Sequence, residues 1–414
     1  MPHRLLKFAL RKQYPEERMF RAPTKLRDEY DVVIIGGGGH GLAAAYYLAK
    51  DHGITNVAVL EKGYIGSGGT GRNTAIIRSN YLTREGANFY QASVDLFQDL
   101  SRELNLNLFY SERGHFTLAH SPASLRTQRW RAEVNKHLGI DSEVVGPEFI
   151  KKTVPELDLS CGGHQAPVVG ALYHPPGAIA RHDAVAWGYA RGADQRGVEI
   201  HQKTAVTDIE VRDGQVAGVH TEKGFIKTRK VLSAVAGWTT SITERVGLRT
   251  PLVIHPLQAL VTEPLKPWLH SIVVSASLHT YVSQSSRGEL VAGASLDPYE
   301  LISMRSTLDF AETMSGHLLD LFPFLGDIKI LRQWAGLCDM TPDFSPIMGT
   351  TPIGGFYIDA GWGTWGFKAT PISGKTMAAT VCEDHDHPLI TAFNLSRFER
   401  FELVGEKGAA SVGH

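Results

Sequence analysis

The chain has 414 residues, with 42 Lys and Arg against 43 Asp and Glu, so no net field draws nucleic acid or an anionic membrane to the surface as a whole. No apolar run reaches the length of a bilayer span, and three scattered cysteines, Cys161, Cys338 and Cys382, do not make a disulfide framework. The expectation is a globular, cytoplasmic protein of two or three domains, or one discontinuous pair, with no nucleic-acid or membrane partner.

Residues 1–30 are basic, with a short apolar patch before Pro15, and read as an arm that packs on this or another subunit. From Asp31 the pattern becomes a buried strand, Asp31 to Ile35, a glycine loop, a helical stretch from Leu42 to Lys50 and a second strand, Val57 to Leu60, that ends at Glu61. This is a βαβ unit. Thr83 to Leu104 reads as helix, and the stretch that follows, to Tyr173, is mixed. His182 to Arg196 is a second helix, with Asp183 in its first turn and Gly197 past its end. Alternating runs from Val206 to Val235 predict hairpins and then a strand that stops at Ala236-Gly237-Trp238. His255 to Leu296 is strand-rich, Met304 to Phe322 helical, Phe356 to Asp359 a strand, and Pro371 to Glu383 a helix.

Dinucleotide-type elements thus fall at the beginning, middle and end. The reading is a two-domain α/β (α+β) protein in which residues 31–110, 174–245 and 336–414 weave a discontinuous Rossmann-like domain. Residues 111–173 and 246–335 build a second domain with a mixed or antiparallel sheet and flanking helices.

The hexapeptide Gly36-Gly37-Gly38-Gly39-His40-Gly41 has glycine at each required position: Gly36 for the tight turn, Gly38 for approach to a pyrophosphate, Gly41 for packing of helix on strand. Glu61 closes the second strand, where a carboxylate accepts hydrogen bonds from an adenosine ribose. The same glycine spacing recurs at Gly66 to Gly71, read as a loop passing a flavin ring, and at Gly361 to Gly366 between a strand and a helix. A helix N-terminus at the latter position stabilises negative charge on a reduced flavin. NAD alone would need only the first βαβ unit. FAD is longer, and loops from several segments are expected to meet it.

Several stretches together resemble one family: Asp31 to Gly41, Arg72 to Tyr81, Arg181 to Trp187, His255 to Leu260 and Gly361 to Lys368 are similar to the beta subunits of heterotetrameric sarcosine oxidases, within the D-amino-acid-oxidase-like flavoproteins. The resemblance runs from about Asp31 to the C-terminus and implies a noncovalent FAD and a covalent FMN. The FMN-bearing histidine matches His182, joined through a ring nitrogen to the flavin 8-methyl carbon, with Arg181 offsetting phosphate or reduced-flavin charge.

The FAD-binding set so implied takes Gly36, Gly38, Gly39, His40 and Gly41 from the first loop and Glu61 and Lys62 from the second strand. Gly69, Arg72, Asn73, Thr74 and Ile77 follow, then Val206, Ala236 and Gly237 from the middle. The last segment adds Gly361, Gly363, Thr364, Gly366, Phe367 and Lys368. Arg78 and Lys368 match the cations that hold a substrate carboxylate, and Tyr281 is an aromatic neighbour of the substrate.

In related monomeric enzymes a cysteine holds FAD covalently. Here Gly336 stands at that position, with Cys338 two residues on, so FAD is expected to dissociate on denaturation. The lysine and histidine of monomeric oxygen chemistry have no clear match in Leu290 to Ser295, which places oxygen reduction at FMN.

The implied activity is oxidation of an N-methyl amino acid by hydride transfer to FAD, with electrons passing to FMN and then to O2 to give H2O2. The imine is hydrolysed to formaldehyde or transferred to tetrahydrofolate. The implied partners are an alpha subunit that binds NAD and folate and small gamma and delta subunits. An amine or amino-acid dehydrogenase that passes electrons to a carrier, and a non-catalytic flavin-binding scaffold, remain the alternatives.

Overall fold

The computed structural model describes residues 25–163 and 165–406 together with isolated positions before residue 25. Most of the expected N-terminal arm lies outside the described residues. Of those described, Phe20 packs on Trp187, the Arg21 N–H donates to Asp194 and Arg27 pairs with Glu199.

A six-stranded sheet organises the nucleotide-type segments, in the order Ile347–Thr350, Phe356–Ala360, Val231–Ser233, Val32–Ile35, Val57–Leu60, Glu199–His201. Neighbours run parallel except for Ile347–Thr350. Successive side chains on a strand face opposite ways. Accordingly Val32 and Ile34 enter a core with the helices Gly39–Asp51, His182–Asp194 and Gly366–Glu383, whereas Val33 and Ile35 enter a second core. That second core is built with the antiparallel ribbon Val206–Arg212, Gln215–Thr221, Gly224–Lys227.

The second large sheet has eight strands, in the order Ile330–Met340, Val253–Pro264, Glu289–Leu296, Thr280–Gln284, Ile272–Ser275, His115–Ala119, Gly170–His174, Glu143–Val145. It is mixed, since Ile272–Ser275 runs parallel to His115–Ala119 and the other pairs are antiparallel. One face buries Phe116, Val273 and Val282 against the helix Leu308–Leu321. The alternate residues, among them His115, Val274 and Tyr281, face a cavity shared with the first sheet. The strand Ile330–Met340 runs through position 336, where a domain boundary was expected, because it pairs along almost its whole length with Val253–Pro264.

The expected α/β architecture is present, but two helices begin earlier than their sequence pattern suggests. The first starts at Gly39 rather than Leu42, and the last at Gly366 rather than Pro371. Proline marks a first helical position well only when nothing upstream can be helical; here Pro371 sits inside the helix, and the Ser93 hydroxyl donates to the Lys368 carbonyl at 2.6 Å in the turn before it. No helix among the described residues is long and apolar enough to cross a membrane.

Candidate functional site

The first glycine loop is shaped by two close approaches. Gly36 has φ +112°, and a Cβ there would sit 2.3 Å from the Ala234 carbonyl oxygen, while one at Gly41 would sit 2.1 Å from the Gly36 carbonyl oxygen. Both positions therefore require glycine for the turn itself. Gly38 differs: a Cβ there meets only the Thr70 hydroxyl, at 3.2 Å, and otherwise projects toward the cavity. Its missing side chain leaves a cradle for a ligand rather than for protein. The helix that begins at Gly39 has no side-chain N-cap, and neither has the helix that begins at Gly366, so two sets of N-terminal N–H groups face the same space. Thr370 Oγ1, buried beside Gly39, has no partner there. An anionic, extended ligand of the FAD type fits these features.

Glu61 is buried at the end of the second strand. It accepts from the Gly37 N–H at 2.8 Å and from the Gly63 N–H at 2.6 Å, which fixes the carboxylate beside the loop with lone pairs to spare for a ribose. Lys62 lies over the Trp238 ring at 3.6 Å, and burial lowers its pKa. His40 ties the first segment to the third. Its Nδ1 lies 3.1 Å from Asp359 and its Nε2 2.8 Å from the Gly366 carbonyl. Burial opposes the charge on this ring, but the Asp359 carboxylate prevails and raises its pKa. Asp339 accepts from the Gly361 N–H at 2.6 Å, and burial pushes its carboxyl up to about 6.

These residues line one continuous cavity of 430 Å³ between the two large sheets. At its other end lie Arg78, Lys368, Tyr281 and His115, all buried. Arg78 donates to the Asn80 side-chain oxygen at 2.8 Å and stacks on Tyr81 at 4.7 Å. The Lys368 amine is pushed well below its ordinary range, by burial first and by Arg78 second, and no carboxylate pairs with it among the described residues. Burial raises the Tyr281 phenol to about 12, an effect that neighbouring Thr74 partly offsets.

Of the residues named from sequence, Gly36, Gly38, Gly39, His40, Glu61, Lys62, Gly69, Arg72, Asn73 and Thr74 line this cavity. Val206, Ala236, Gly363, Thr364, Gly366, Phe367, Arg78, Lys368 and Tyr281 line it too. Gly41, Ile77, Gly237 and Gly361 lie behind the wall: a Cβ at Gly237, for instance, would press on Leu337 at 2.6 Å. Arg181 and His182 are elsewhere. They begin the helix His182–Asp194, which packs behind the loop Gly66 to Arg72, and Arg181 pairs with Asp183. Burial, and secondarily Arg181, lower the His182 pKa and favour a neutral ring.

Lining residues not anticipated include Thr70, Trp238, Asp339 and His115. Trp238 and Thr70 adjoin named positions and were within reach of the motif reading. His115 gave no signal, because only strand pairing brings it to the cavity.

The fold, the two uncapped helix N-termini and the shared cavity define an FAD-dependent oxidoreductase. The model of the family described as FAD dependent oxidoreductase matches residues 31–380. The chain is 45% identical over 389 residues to sarcosine oxidase subunit beta of Arthrobacter sp, covering 94% of this chain and 96% of the relative. It is 42% identical to the subunit of the same name from Rhodobacter capsulatus, over 98% of this chain and 97% of the relative. Among solved structures, L-proline dehydrogenase from P. horikoshii matches with a TM-score of 0.85 and 29% identity, over 92% of this chain and 100% of that one. The chain belongs to the family of sarcosine oxidase beta subunits.

Proposed function

We propose that this FAD-dependent oxidoreductase oxidises an N-methyl amino acid such as sarcosine, and that the carboxylate of the substrate is held by Lys368 and Arg78. The observation that carries this reading is Lys368 itself, a buried amine at the cavity wall beside a guanidinium and without a carboxylate partner among the described residues. A buried cation of this kind is costly unless an anion joins it. The planar fork of Arg78 and the point charge of Lys368 together orient a carboxylate. They also disfavour a second positive charge nearby, so the substrate amine binds without its extra proton and keeps the lone pair needed to form the C=N bond. Tyr281 and Val274 form the apolar wall that excludes water from the N-methyl group. Bound FAD supplies the acceptor for the hydride that leaves the methyl carbon. Hydrolysis of the imine to formaldehyde, or its transfer to tetrahydrofolate on a partner subunit, completes the reaction, with H2O2 formed from O2.

Covalent FMN at His182 belongs to the same proposal. A neutral imidazole at a helix start, next to the Arg181 guanidinium, has the lone pair and the neighbouring charge that such an attachment uses. FMN there would supply the site of oxygen reduction. Mass spectrometry of the tryptic peptide that contains His182 is expected to show an FMN adduct; an unmodified peptide from the yellow protein rejects this part.

Anaerobic mixing with sarcosine tests the main reading. The visible flavin absorbance is expected to bleach, with formaldehyde appearing in a stoichiometric amount. Bleaching by proline but not by sarcosine would instead favour a secondary-amino-acid dehydrogenase, and no bleaching by any amine would leave a flavin-binding scaffold.

A further inference from the structure

Two histidines lie side by side where the substrate end of the cavity meets the eight-stranded sheet, and only one is accounted for by the fold. His115 and His174 are register partners on adjacent antiparallel strands, and both are buried. His174 is satisfied: its Nδ1 lies 2.6 Å from the Asp141 carbonyl oxygen, to which it donates, and its Nε2 accepts from the Ser79 N–H at 3.3 Å. His115 is not. Its Nδ1 has no hydrogen-bond partner, and its ring is part of the cavity wall with Arg78, Lys368 and Tyr281. Gly177 packs against the base of the His115 side chain, where an added Cβ would lie 2.5 Å from the His115 Cβ.

An orphaned polar atom in a buried site costs about 1–3 kcal/mol unless something binds it. What can bind it is set by its surroundings. Burial and the charges of Arg78, Arg131 and Lys368 all oppose protonation, so the ring presents one N–H donor and one lone pair. In a potential that the Arg78 and Arg131 guanidinium groups make positive, an N–H donor prefers an anionic oxygen, while the lone pair makes a poor base for an amine.

We propose that His115 is a third contact for the substrate carboxylate, donating a ring N–H alongside Lys368 and Arg78. This rests on the carboxylate reading above and deepens it: the site then holds a carboxylate with two cations and one neutral donor. That set suits a monoanion on a small amino acid, and a second carboxylate on a longer side chain would find no further donor at this end.

The test uses holoenzyme and two ligands that differ only at the amine: sarcosine, and methoxyacetate, in which an ether oxygen replaces the N–H. The sarcosine Kd comes from the concentration dependence of anaerobic flavin bleaching, and that of methoxyacetate from perturbation of the flavin spectrum. His115→Leu removes the donor, and His115→Phe removes it while keeping a ring, so one variant stands in if the other fails to retain FAD. Either is expected to weaken both ligands to a similar degree, about tenfold, and His115→Gln, which restores a donor, to recover part of the loss. Loss of sarcosine affinity alone would place His115 at the amine and overturn the proposal, as would an unchanged Kd for both ligands. Lys368→Met separates the two readings. If it weakens both ligands while the His115 variants do not, only the histidine contact fails; if it weakens neither, the carboxylate site itself is wrong.

Discussion

At the scale of single residues, Lys368 shows how function and stability oppose one another. Its amine is desolvated beside Arg78, and on the proposed carboxylate reading substrate binding relieves a cost that the free protein carries. Lys368→Met, close in length and without charge, is therefore expected to raise the sarcosine Kd tenfold or more, about 1.4 kcal/mol or greater, and at the same time to raise the melting temperature of ligand-free protein. Scanning calorimetry read beside the bleaching titration checks both, and a lower melting temperature would mean the amine has a structural partner. Arg78 and Lys368 could be named before the structure because they sit in stretches that carry a family pattern. His115 could not: a lone histidine in His115-Phe116-Thr117-Leu118-Ala119 reads as an ordinary strand residue, and its place in the cavity wall depends on a partner strand more than fifty positions away. His40 was legible as part of the loop, but not its reason for being histidine, which is to bridge Asp359 and the Gly366 carbonyl.

At the scale of elements, the two helices whose N-termini face the cavity lack side-chain caps, whereas three others, Arg84–Glu103, Pro122–His137 and Leu308–Leu321, are capped by their own sequence. Thr83 caps Arg84–Glu103 by accepting from the Gly86 N–H, and Ser121 caps Pro122–His137. The cap at Thr83 has a long-range reinforcement that no local pattern reveals. Glu406, near the end of the described chain, accepts from the Leu82 N–H at 3.1 Å, the Thr83 N–H at 2.8 Å and the Thr83 hydroxyl, and Gly86 leaves room for its carboxylate. Arg131, bonded to the Asn80 carbonyl oxygen at 2.5 Å, secures the same segment from the other side. The stretch from Arg78 to Thr83 is thus held at both ends. Glu406→Ala is expected to cost about 2–3 kcal/mol in urea unfolding, as charged hydrogen bonds to buried N–H groups are lost, and to raise the sarcosine Kd because Arg78 loses its fixed backbone. A variant with wild-type stability would show that the tail is only resting there.

At the scale of the whole molecule, the strands Val32–Ile35, Val231–Ser233 and Phe356–Ala360, which meet in the six-stranded sheet, were each marked in the sequence as an apolar run leading into a glycine-containing loop. The allocation of Ile330–Met340 was not, since alternation of apolar residues tells which face a strand buries but not to which sheet it belongs. The seam between the two sheets, where that strand and His115–Ala119 meet the cavity, collects buried histidines whose pKa values are lowered, and this is expected to make the fold sensitive to acid. His174 has its pKa depressed to about 3, by burial above all, against 6.5 for an ordinary histidine. A depressed pKa means that the unfolded chain takes up the proton first, so the contribution is whole above pH 6.5 and is lost progressively as the pH falls toward 3. Full loss amounts to about 5 kcal/mol; His115 acts in the same direction. Asp339, raised to about 6, acts oppositely, favouring the fold below pH 3.8 and losing that contribution as the pH rises through 6. The two cannot be separated in the native protein alone, but a substitution isolates one of them. His174→Gln keeps an amide that can serve both Asp141 and Ser79 and does not titrate. Urea midpoints measured from pH 4 to 8 at one FAD concentration are expected to fall less steeply on acidification in this variant than in the native protein, and parallel curves would show that the acid sensitivity arises elsewhere than at this seam.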